Sequence, residues 1–101
     1  MTRFVVTAEA EADTHEILSY LECEAGPTIA AEYGSRLLSA LERLIDLPET
    51  GAPRPSLGPC ARIGIVSPYI LIYDFVPEDD SLVLLRILHG RRNITRDLLK
   101  R

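Results

Sequence analysis

Tryptophan is absent from this chain, methionine occurs once, and there are only two histidines and two cysteines. Cys23 and Cys60 lack any CxxC or Cys/His spacing, which excludes the ligand patterns of zinc and dithiol redox centres and leaves two reduced, small apolar residues. No metal and no cofactor is expected. Long hydrophobic runs are missing too. The opening "MTRFVVTAEAEAD" holds an apolar run of three residues followed by acids, too short for a secretory core or a membrane span. The expectation is a cytoplasmic protein without membrane contact, in which the "NIT" at Asn93 matches a glycosylation acceptor by accident. Repeats and low-complexity segments are lacking as well. What is present is ordinary globular composition, 47% hydrophobic and 26% charged, in 101 residues. A second core would be too small for burial to offset chain entropy, so one domain over residues 1–101 is expected.

Positive charge is scarce in the first half and concentrated at the end. Residues 1–50 carry three arginines against ten acids, residues 51–85 two against four, and residues 86–101 six Arg/Lys against one acid. The net charge of −4 argues against direct sequence-specific DNA binding, because affinity for phosphate chains comes largely from counterion release by clustered cations. The basic ending "RILHGRRNI" keeps contact with an acidic partner or a phosphate open.

The periodicity predicts an α+β fold. "RFVV" reads as a short strand, and Thr7 can N-cap a helix whose first turn carries Glu9 and Glu11, acids suited to the positive end of the helix dipole. That helix is expected to reach about Cys23 with a narrow stripe of Ile17, Leu18 and Leu21, its acids Asp13, Glu16, Glu22 and Glu24 facing water. Gly26 and Pro27 stop one helix and start another, in which Ile29, Tyr33, Leu37, Leu41, Leu44 and Ile45 recur in steps of three and four. "LPETGAPRPSLGP" cannot be helix or central strand. "ARIGIV", "YILIYDFV" and "LVLLRILH" then form an antiparallel meander joined by the N-terminal strand, and "RRNITRDLLKR" a short C-terminal helix. The fold expected is an antiparallel helical hairpin packed on a small, mainly antiparallel sheet. Strands this apolar need cover on both faces, whereas two helices cover one; the other face calls for the C-terminal segment, a second copy or a partner chain. Regular alternation puts Leu82, Leu84, Arg86 and Leu88 on one face of the last strand and Val83, Leu85, Ile87 and His89 on the other.

In this order the chain resembles the RelE/ParE superfamily of toxins from type II toxin-antitoxin systems. The segments that carry the resemblance are "AEAEADTHEILSYL", "AAEYGSRLLSALERLIDLPETGAPRPSLGPCARIGIVSPYILIY" and "LRILHGRRNI", the last resembling the strand ending of the ParE-like branch. The resemblance implies a plasmid-stabilisation type of toxin, silenced by a cognate antitoxin whose C-terminal segment occupies apolar grooves. Tyr69, Leu71, Tyr73, Leu84 and Leu98 are the antitoxin-facing candidates it suggests. ParE-like toxins bind DNA gyrase, with Arg86, His89, Arg91 and Arg92 as the target-binding candidates here. RelE-like toxins instead cut messenger RNA on the ribosome, which would use Arg62 and Arg86 as phosphate clamps and His89 as acid or base. Three observations favour the gyrase reading. No tyrosine follows Tyr73, the chain is acidic overall, and regular alternation separates Arg86 from His89. A degenerate relative that only binds antitoxin is the third possibility.

Overall fold

The computed structural model describes residues 2–90. The chain runs β1 (Arg3–Val6), α1 (Ala8–Ala25), α2 (Pro27–Asp46), a 3-10 turn (Pro48–Thr50), β2 (Ala52–Pro53), β3 (Ala61–Val66), β4 (Tyr69–Val76), a second 3-10 turn (Pro77–Asp79) and β5 (Ser81–His89). This is the expected α+β arrangement. The expected C-terminal helix, with Arg91, Arg92 and Leu98, lies outside the described residues.

Local chemistry sets the element ends. Thr7 Oγ1 accepts the Ala10 N–H at 3.1 Å and caps α1, while its own hydrogen faces the carbonyls of Leu84 (3.0 Å) and Leu85 (2.9 Å). One hydroxyl thus starts the helix and fastens it to the last strand. Gly26 adopts φ 93°, which glycine alone reaches without strain, and returns its N–H to Glu22 before Pro27 opens α2.

The five strands lie in the order β1-β5-β4-β3-β2, with β1 parallel to β5 and every other pair antiparallel. The helical hairpin covers one face. There Ala10, Leu37 and Leu44 meet Val66, Leu71, Tyr73, Phe75, Leu82, Leu84 and Ile87 in the main core. At roughly 25 cal/mol per Å² of apolar surface removed from water, this layer is the chief stabilising contribution of the fold.

The second sheet face does not lack a cluster of its own: Ala61, Ile63, Ile72 and Leu88 are buried there with Leu57, which comes from the proline-rich connection between β2 and β3, and the C-terminal segment expected as one possible cover lies outside the described residues. The proline-rich segment is therefore more than a solvated loop, and it also contributes the edge strand β2. Alternation along β5 is not regular. Tyr73 pairs with Leu84 and Ile72 with Arg86, so Leu85 is an extra residue opposite the Ile72/Tyr73 step, a β-bulge that resets the faces of everything after it.

Candidate functional site

β1 ends opposite Leu84, and beyond it the N-terminal half of α1 lies against β5. The edge of β5 left by β1 needs partners for its peptide groups, and Asp13 supplies one. Its Oδ2 accepts from the Ile87 N–H at 3.1 Å and from Arg86 Nε at 2.6 Å, while Oδ1 accepts from Arg86 Nη2 at 2.9 Å. The pair is largely sheltered, with side chains 18% and 11% exposed for Arg86 and Asp13. The Asp13 hydrogen bonds raise the Arg86 pKa, an effect that burial partly opposes. Planar guanidinium on carboxylate is the geometry that makes such a pair directional.

This clasp floors an open groove of about 420 Å³ between α1 and the end of β5, which Glu16, Tyr20, Tyr69 and His89 also line. Aromatic contacts continue from it. His89 meets the Tyr69 ring edge to face at 5.8 Å, Tyr69 meets Tyr33 the same way at 5.9 Å, and the Arg36 guanidinium sits 4.8 Å above Tyr33. Arg86 and His89 both line this groove although the strand is regular between them, because Arg86 turns around the β5 edge that β1 leaves open to meet Asp13 of α1.

Arg62 is elsewhere. It stands on β3, separated from β5 by β4, and donates to the carbonyls of Glu49 (3.0 Å) and Gly51 (2.7 Å). Beside it Tyr73 Oη donates to the Pro48 carbonyl at 2.7 Å and accepts the Gly51 N–H at 3.1 Å. These two side chains hold the 3-10 turn onto the sheet. The candidate set of Arg62, Arg86 and His89 is therefore not assembled as one site.

The antitoxin-facing candidates on the strands are mostly buried in the chain by itself. Leu71, Tyr73, Leu84 and Tyr69 lie at 0%, 0%, 1% and 7% exposure in the main core, so they serve first to pack the sheet against the helices, and of the four Tyr69 and Leu71 also border surface grooves. Asp13 is the residue that sequence reading missed. It belongs to the series Ala10, Asp13, Ile17, Leu21, spaced by three and four, so an acid inside an apolar stripe was the available signal.

Burial pushes the phenols of Tyr69 and Tyr73 above their usual value near 10, aided at Tyr69 by Tyr33 and Tyr20 and opposed at Tyr73 by the Gly51 N–H and Arg62. A phenol whose folded-state pKa is raised keeps its stabilising effect below the unfolded value and loses it as pH rises through the folded one. Stability is thus expected to fall above roughly pH 10. Denaturant melts followed by tyrosinate absorbance test this; a flat profile up to pH 11, roughly one unit past the free phenol, would contradict it.

A helical hairpin on one face of a small sheet, with a groove beside its last strand, is the architecture of small toxins from type II toxin-antitoxin systems. Residues 4–94 match the family of the ParE toxin of the type II toxin-antitoxin system parDE, and the chain belongs to that family. Toxin ParE3 of Caulobacter vibrioides is 31% identical over 101 residues, spanning 100% of this chain and 99% of the relative. Among solved structures, the chromosomal ParDE system of P. aeruginosa superposes with a TM-score of 0.74 at 23% identity, covering 88% of this chain and 96% of that one. The RelBE2 toxin-antitoxin complex of Mycobacterium tuberculosis gives 0.61 at 24% identity, with 87% and 90% covered. The likeness to these structures is one of fold.

Proposed function

We propose that this ParE-family toxin acts in the cytoplasm by binding DNA gyrase and is neutralised by a cognate antitoxin encoded beside it. The observation that carries this reading is the commitment of the two candidate phosphate clamps. Arg62 is bonded to the carbonyls of Glu49 and Gly51, and Arg86 to Asp13. A guanidinium already paired with a carboxylate must break that pair before it can stabilise a phosphate in a cleavage transition state. Presentation of the α1–β5 groove to a protein target needs no such exchange. Arg86 and His89 at that groove, with Arg91 and Arg92 following in sequence, are the proposed target contacts.

Ribosome-dependent cleavage of messenger RNA is the second reading, and the meeting of Arg86 with His89 in one groove favours it. The purified protein, added separately to gyrase supercoiling and to cell-free translation, decides between the two. Inhibited supercoiling with normal translation is expected. Message cleavage with untouched supercoiling would reverse the order of the readings. Expression of the chain alone is expected to arrest growth, with rescue by the neighbouring reading frame. Normal growth with soluble protein present would mark a degenerate, antitoxin-binding relative.

A further inference from the structure

β2 pairs with β3 at two positions only, Ala52 with Ile63 and Pro53 with Arg62. Beyond Ala52 the chain turns away into the 3-10 segment, and the outer edge of β3 is left open. In an antiparallel ladder the peptide groups of alternate residues face the same neighbour. The Ala61 carbonyl takes the Arg54 N–H at 2.8 Å and Ile63 faces Ala52, so the N–H and carbonyl of Ile65 point outward on that same edge. Among the described residues they have no ladder partner there, and the Ile65 side chain is 71% exposed.

Alongside this edge run two adjoining hollows of about 350 and 360 Å³, which share Ala40, Arg43 and Ile65. Together they make one trough between α2 and β3. Its floor is apolar, with Leu44 and Leu71, and Gly64 keeps it open: a Cβ there would lie 3.3 Å from a Leu44 methyl. Its wall is cationic. Arg36 and Arg43 line it and, among the described residues, no acid does, although the chain as a whole carries −4. Arg43 has no ion-pair partner among the described residues. The two arginines are seven residues apart on one helix, about 10 Å along its axis.

We propose that this trough takes an extended, acidic segment of the neutralising partner as an added strand antiparallel to β3. The inference rests on the reading of the chain as a neutralised toxin. The incoming strand pairs with the Ile65 peptide and sends the neighbouring apolar side chain over Gly64 toward Leu44. Carboxylates two to four residues apart, about 7–13 Å along a strand, meet Arg36 and Arg43. Strand addition supplies affinity through main-chain bonds, and the trough supplies selection for small or apolar side chains flanked by acids.

The test uses the full chain and the purified protein encoded by the neighbouring reading frame. On complex formation, exchange of the Ile65 amide hydrogen, read by NMR, is expected to slow by about a hundredfold, as for an amide that gains a stable ladder bond. Replacement of both Arg36→Glu and Arg43→Glu is expected to weaken the complex about tenfold or more at low salt, with the loss shrinking as salt rises. A thermal melt of the uncomplexed variant checks that the fold survives. Unchanged Ile65 exchange in the formed complex, or unchanged affinity in the double variant, would overturn the proposal, as would failure of the neighbour-encoded protein to bind. Growth arrest by the chain alone is scored separately and decides the toxin reading whatever the binding result.

Discussion

Replacing Asp13 by alanine is expected to destabilise the fold by about 3 kcal/mol, which for a domain of this size lowers the melting temperature by roughly 10–20 °C. The substitution strips three hydrogen bonds from one carboxylate and leaves a mostly sheltered guanidinium and the Ile87 N–H without their acceptor. Taking the carboxylate away from a sheltered guanidinium costs more than the pair itself contributed. Three comparisons separate this from general damage. Asp13→Asn keeps acceptor and donor geometry but loses the charge, and falls between wild type and alanine. Arg86→Met alone leaves a sheltered carboxylate without its guanidinium, still bonded to the Ile87 N–H, and is also costly. The double change Asp13→Ala with Arg86→Met removes both partners and is expected to cost clearly less than the two single losses added together. Strict additivity in urea melts would mean that the clasp is a surface pair of no consequence.

Gly51→Ala is the second large effect, about 3 kcal/mol, and its cause is steric. The backbone of Gly51 has an ordinary φ of −69°, so any residue could adopt it. Space is what is lacking: a Cβ would overlap the Tyr73 hydroxyl and come within 2.7 Å of the Ile63 carbonyl oxygen. Relief would break the bonds that Tyr73 makes to Pro48 and Gly51, together with the Arg62 contact to the Gly51 carbonyl. Gly64→Ala is the matching control. The tightest contact of its Cβ would be a Leu44 methyl at 3.3 Å, the movable end of a side chain, and a loss under about 1 kcal/mol is expected. Equal stability of wild type and Gly51→Ala in denaturant melts would show that the 3-10 turn is not pinned as described.

Most of the fold could be read from local pattern. β3 and β4 begin and end where "ARIGIV" and "YILIYDFV" do, because their apolar runs are bounded by a Ser-Pro turn and a Pro-Glu-Asp turn that end pairing. The α2 stripe and the Thr7 cap were equally legible, since helix period and capping are properties of neighbouring residues. The site was less so. The bulge at Leu85 arises where β1 stops and Thr7 takes over the Leu84 and Leu85 carbonyls, a meeting of residues nearly eighty positions apart that no local window contains. Arg86 and His89 still alternate along β5, and it is the bond to Asp13, seventy-three residues away, that brings Arg86 to the groove His89 lines. Aromatic and leucine residues of the strands were equally ambiguous: apolar at both alternations, they fit a core face or a partner face, and their burial in the main core shows that they serve first to pack the sheet. Arg62 looked like a clamp for a ligand because its residue type suits phosphate, and main-chain carbonyls satisfy the same donors.

The parallel pairing of β1 with β5 has a consequence for synthesis. Strand positions 3–6 are met by positions 81–84, so β1 waits for β5, the last of the described elements to be made. Until β5 emerges, α1 and α2 have only a partial sheet to lie on, and neither the Asp13 clasp nor the groove beside it exists. The clasp and the groove are thus properties of the joined termini of the described fold, and a chain cut before Ser81 holds neither.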